Sequence, residues 1–168
     1  MDTLYYLVLF DQLSSVLIAI LGLIFYWNFD APLKLLSIYY VITAAASLIG
    51  EVFAANLGTN IFVFHFYTIA EYVILGKVFV LLLKEYYAWQ KVNLLYWSIL
   101  VIIVSNSFFV QGFDQFNSIS GTVVGFFLIV FSIVYFNHSL SNPNPTNQLN
   151  AVKWILSLIH ISEPTRPY

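Results

Sequence analysis

Five apolar segments, each about the length of a membrane-crossing helix, follow one another with only short polar breaks between them. A bilayer core ~30 Å thick takes about 20 apolar residues as helix. The segments run near Leu4–Trp27, Leu33–Ala55, Ile61–Leu83, Val92–Val110 and Ser118–Asn137. The breaks are "NFDAP", "NLGTN", "KEYYAWQK", "QGFDQFN" and "HSLSNPNPTNQLN", rich in the Asn, Gly, Pro and Asp that turns use. Inside lipid every backbone polar group needs an internal partner, which excludes open strands. Short loops make neighbouring helices antiparallel. The expected fold is therefore an all-α, polytopic, up-and-down transmembrane bundle. It has five complete spans and a truncated sixth beginning near Val152.

Composition excludes other classes. Charged residues make up 8% of the 168 and hydrophobic ones 61%, against about 25% charged in a soluble domain. The net charge of −2 offers no basic face to nucleic acid. There is no cysteine, so disulfides, thiolate metal sites and cysteine nucleophiles are excluded. The start "MDTLYYLVLF" lacks the basic stretch of a cleaved signal peptide and reads as a retained helix.

The end of the chain, "LSLIHISEPTR", looks like the in-frame translation of a transposase sequencing adapter. The expectation is one native transmembrane domain over residues 1–155, whose gene continues further, and an artefactual tail over 156–168. His160, Glu163 and Arg166 then carry no functional meaning.

Lysines give the expected orientation. Lys34, Lys84, Lys91 and Lys153 fall at the first, third and fifth loops, which share one side. The positive-inside rule places that side in the cytoplasm and the N-terminus outside. Tyr5, Tyr6, Trp27, Tyr86, Tyr87, Trp89 and Trp97 lie near span ends, where aromatic belts form.

Polar residues inside the spans are the candidates for function, because they are costly in lipid and face cavities or one another. With the N-terminus outside, Asp11, Glu51, His65, Glu71 and Asn106 all fall in the outer half of the membrane. Gln12, Ser105, Ser107, Ser118, Ser120 and Thr122 accompany them. Lys77 is the exception, read as reaching back to the cytoplasmic interface. At about 100° per residue, His65, Thr68, Glu71, Tyr72 and Leu75 share one arc of about 120°. Thr43, Ser47, Gly50 and Ala54 form a small-residue stripe that permits close helix contact. Glu51 borders it and is expected to face protein.

These positions lead to an expected polar pocket open to the outside and dry below, lined by Asp11, Glu51, His65, Thr68, Glu71, Tyr72 and Asn106. In it Glu51 meets His65, and Glu71 meets Asp11 or the Asn106 region. No metal or cofactor is expected, and an enzyme is the less favoured reading. The pocket reads as a structural network or as a site for a small ligand or for sensing. An intramembrane hydrolase, using a metal or a Ser–His pair, is one alternative. A proton- or ion-coupled transporter fragment is another. The expected partners are the bilayer, a small ligand from the outer side, and a second copy or a signalling protein.

The order "NIFVFHFYTIAEY", with Asn60, His65, Thr68, Glu71 and Tyr72, resembles a pattern in multi-spanning membrane proteins of Bacteroidota-type bacteria. Their Phe- and Tyr-rich helices and Asn-rich loops are similar. The resemblance implies a bacterial inner-membrane protein with further helices after Ile155, and it brings no activity with it.

Overall fold

The computed structural model describes residues 2–84, 86–113 and 115–141, with the side chains of residues 2–5, 7–9, 11 and 139–141 outside that description. Most of these residues are helical, with no strand among them. The elements are α1 (Asp2–Ile24), α2 (Ala31–Leu57), α3 (Ile61–Leu83), α4 (Trp89–Ser105, extended to Val110 by a π-helical turn) and α5 (Ser118–Ser141). Among the described residues, α2, α3, α4 with its extension, and α5 are long and apolar enough to cross a membrane. The described apolar stretch of α1, Gln12–Ile24, is shorter. The chain therefore has the helices of an integral membrane protein. The expected spans match the observed helices within a few residues, and α3 matches at both ends. The sixth span and the tail lie outside the described residues.

The breaks between helices follow from local chemistry. Asp30 caps α2, its side chain accepting from the Leu33 N–H at 3.4 Å, with Pro32 in the first turn, where no N–H is needed. Gly58 ends α2 with φ 73°, donating to the Ala54 carbonyl at 3.0 Å. That left-handed conformation suits glycine and turns the chain at once into α3.

The helices are not arranged as a simple ring. Helix α3 is the hub: it packs against α2, α4 and α5, while α1 packs chiefly on α2. Leu75, Val78, Phe79, Val80, Leu82 and Leu83 of α3 are all buried. A helix apolar on all sides belongs in a core, and "VFVLLL" has no polar face to offer water or a channel. Close packing of α3 on α4 turns on Gly76. A Cβ there would lie 2.9 Å from the Tyr96 ring. Tyr96 stacks on Tyr72, with centroids 5.6 Å apart and planes at 14°. Each hydroxyl donates to a backbone carbonyl across the interface, Tyr72 to Tyr96 O at 3.2 Å and Tyr96 to Val73 O at 3.1 Å.

The end of the bundle that carries the lysines is aromatic. The Lys77 ammonium sits 5.2 Å above the Trp89 ring and that of Lys34 5.7 Å from the centre of Tyr26. Lys77 thus reaches toward the start of α4, as expected of a lysine snorkelling to that interface. His138, in the last turn of α5, stacks on Tyr86 and hydrogen-bonds the Tyr87 hydroxyl. The third loop is thereby tied to the end of α5.

Candidate functional site

Among the described residues, the polar side chains of α3 do not converge on one pocket. They divide between two neighbours, and the helical wheel gives the reason. His65 and Glu71 stand at opposite edges of their shared arc, about 120° apart. Helix α3 packs against α2, α4 and α5, so the two edges of that arc meet different partners.

The first set lies between α2 and α3. Glu71 is buried, and the Tyr39 hydroxyl donates to its Oε1 at 3.1 Å. A hydroxyl has one proton, so the 3.1 Å contact between the Tyr39 and Tyr67 hydroxyls is a donation from Tyr67 to Tyr39. Thr43 Oγ1 lies 3.3 Å from the Tyr67 hydroxyl and donates to the Tyr39 carbonyl at 3.0 Å. The result is a chain of hydroxyls polarised toward one carboxyl, in a region where water is scarce and each bond strengthens the next. Beside it, Ile42, Ala45, Ala46, Ile49, Phe53, Phe62, Val63, Phe66, Tyr67 and Ala70 line a groove of about 310 Å³.

The second set lies between α3, the π turn and the loop into α5. His65 is fully buried, its Nε2 2.9 Å from the Gln115 carbonyl. A carbonyl only accepts, so Nε2 carries the proton. Nδ1 is buried with no partner, as are both amide atoms of Asn117. Phe113 covers the imidazole edge-on at 5.3 Å and stacks on Phe66 at 5.6 Å. Gly112, at φ 65°, makes the turn just before it. In the π turn Gln111 N–H reaches Asn106 O at 2.9 Å, five residues back. The widened turn brings the Asn106 amide to Gln111 Oε1 at 2.7 Å and Ser120 Oγ at 2.8 Å. Gln111 then donates to Phe116 O and Ser118 Oγ, closing the loop on itself. Such turns mark departures from regular helix that a functional or structural demand sustains.

The remaining candidates fall elsewhere. Glu51 is exposed and accepts from Gln12 of α1. This replaces the expected Glu51–His65 pair: Glu51 lies on the α2 face turned to α1, and His65 is held by the fourth loop. Glu71 likewise meets Tyr39 rather than the Asn106 region, because α2 and not α4 lies along its edge of α3. The Asp11 side chain lies outside the described residues. Thr68 is buried on α3, and Tyr72 belongs to the tyrosine stack. Ser107 contacts Ser120 at 3.4 Å rather than His65. No three His, Asp or Glu side chains among the described residues are grouped to hold a metal ion.

Tyr39 and Gln111 were missed by the sequence reading. Tyr39 lies eight residues into α2, about 12 Å below its start at ~1.5 Å per residue, which is too deep for an aromatic belt. That depth was the available signal. Gln111 carried none beyond its position beside Gly112.

Replacing Asn106 with Leu is expected to cost about 1–3 kcal/mol, because the partners of its amide are left buried. Unfolding in sodium dodecyl sulfate, followed by tryptophan fluorescence, measures this. Thr122→Val, which loses only a bond to the Ser118 carbonyl of its own helix, is expected to change stability by less than about 0.5 kcal/mol.

Comparison with protein-family models, with curated proteins and with solved structures gave no match.

Proposed function

We propose that this chain is a multi-pass protein of a bacterial cytoplasmic membrane, with its N-terminus outside, that binds a small ligand from the outer side through Glu71. The observation that carries this reading is the hydroxyl chain from Tyr67 through Tyr39 to the buried Glu71 carboxyl. An ionisable group at this depth is expensive, and such groups mark ligand or ion sites. A ligand that donates hydrogen bonds competes with Tyr39 for the carboxyl. Tyr39 then turns its proton toward Tyr67, and the contact between α2 and α3 loosens. Binding is thus linked to a shift between two helices, which is what sensing requires. The same chain of hydroxyls favours a second reading, a proton path ending on Glu71.

Co-purified small molecules, identified by mass spectrometry from the detergent-solubilised chain, test the first reading. Wild type is expected to retain a small molecule that Glu71→Gln loses while staying helical by circular dichroism, and that Tyr39→Phe, which removes the competing hydroxyl, keeps. Equal retention by all three counts against it. Orientation is tested separately with an impermeant thiol reagent. Cysteines placed at the exposed Thr59 and Gln115 are expected to react from outside, and one at Gln90 is not. Labelling of Gln90 alone contradicts the orientation.

A further inference from the structure

The groove between α2 and α3 is a concave stretch of apolar surface. Three alanines, Ala45, Ala46 and Ala70, line it together with the larger Ile49, Phe53, Phe62 and Phe66. Its α2 side runs from Ile42 to Phe53, about 16 Å at ~1.5 Å per residue. Its volume of about 310 Å³ corresponds to roughly ten groups of water or methylene size at ~30 Å³ each. A helix, about 10–12 Å across with its side chains, does not fit. One extended hydrocarbon chain does.

The ends of the groove narrow the choice further. Phe53 and Phe62 stand at the end where α2 turns into α3, so that end lies at the membrane surface. Asn56, Thr59 and Asn60 follow there, all uncharged. Neither this turn nor the fourth loop, which brings Phe113 against Phe62 at 5.6 Å, contains Lys or Arg. A net-negative headgroup finds no basic counter-charge in either of these loops, whereas a zwitterionic one needs none.

We propose that the α2–α3 groove is a lipid site that holds one acyl chain of an outer-leaflet lipid with a zwitterionic headgroup. The inference goes beyond the Glu71 reading and takes from it only the orientation, which the Thr59 labelling tests on its own.

The experiment uses the full chain in vesicles containing phosphatidylethanolamine with a photoactivatable diazirine in its acyl chain. Adducts are mapped by mass spectrometry. Labelling at Ala45, Ala46 and Ala70 is expected to saturate and to fall as unlabelled phosphatidylethanolamine is added. Labelling at the exposed Leu23 and Ile133 is expected to follow the probe fraction linearly. Filling the groove with Ala46→Phe is expected to lower groove labelling about tenfold, the change that ~1.4 kcal/mol produces. The dilution series supports the site without any variant. Linear labelling everywhere means bulk lipid only and overturns the proposal, as do protein–protein adducts at the groove, which indicate a second copy. The same probe built on phosphatidylglycerol is expected to label the groove more weakly, and equal labelling overturns the choice of headgroup.

Discussion

Substitution of Gly76 by Leu is expected to destabilise the protein by about 2–4 kcal/mol. Overpacking a closed interface costs ~1–3 kcal/mol, and the two tyrosine hydrogen bonds add ~0.6 kcal/mol each at the average found inside membrane proteins. The cause is local. The Tyr96 ring already occupies the space above the Gly76 Cα, and Tyr72 backs it from the other side. Tyr96 cannot retreat without giving up its bond to the Val73 carbonyl and uncovering Tyr72, which is fully buried. Gly121 is the control, since a Cβ there meets nothing within 4 Å. Gly121→Leu is expected to stay within about 0.5 kcal/mol of wild type. Equal effects of the two substitutions in detergent unfolding would show that α3 and α4 do not approach through Gly76.

Substitution of Glu71 by Leu is the second large effect. It removes the acceptor on which the Tyr39 and Tyr67 hydroxyls are aligned and leaves Tyr39 to find another partner in an apolar region. Stranding one buried polar group costs about 1–3 kcal/mol. Glu71→Gln keeps an acceptor and a similar shape, so its cost is expected to be clearly smaller. On the functional reading the two variants lose the small molecule alike, although their stabilities differ. Folding and retention therefore separate: a purely structural Glu71 would make retention follow stability across the pair.

The spans were legible because hydrophobicity and length act locally. Segments such as "IFVFHFYTIAEYVILGKVFVLLL" have no other way to satisfy their backbone in lipid. Turn chemistry was equally local, as Asp30, Pro32 and Gly58 show. The arrangement of the helices depends on which faces meet, and loop length does not settle that. Short connections show that α2, α3 and α4 alternate in direction, but not that α3 sits between α2 and the α4–α5 pair. A signal was present in the last three turns of α3, which are apolar all round apart from Lys77, where a peripheral helix would vary around its circumference. Without that arrangement, the shared arc on α3 and the similar depth of the polar residues merged two sets into one pocket and paired His65 with Glu51. The π turn was illegible for a different reason. Ser105, Asn106 and Ser107 announced a polar spot in α4, but the extra residue in the turn is sustained by Gln111 and Ser120, which arrive from beyond the helix end.

The division of the α3 polar groups between two neighbours is the centre of this account, and double-mutant cycles test it most directly. Glu71→Gln is combined in turn with Tyr39→Phe and with Asn106→Ala, and each set is unfolded in detergent under one condition. Residues in one hydrogen-bond network couple by roughly 0.5–3 kcal/mol, and distant ones add within about 0.3–0.5 kcal/mol. Glu71 and Tyr39 are expected to couple by about 1 kcal/mol, within the range found for polar pairs in membrane helices, and Glu71 and Asn106 to be additive. Coupling to Asn106 together with additivity toward Tyr39 would contradict the account and restore a single pocket.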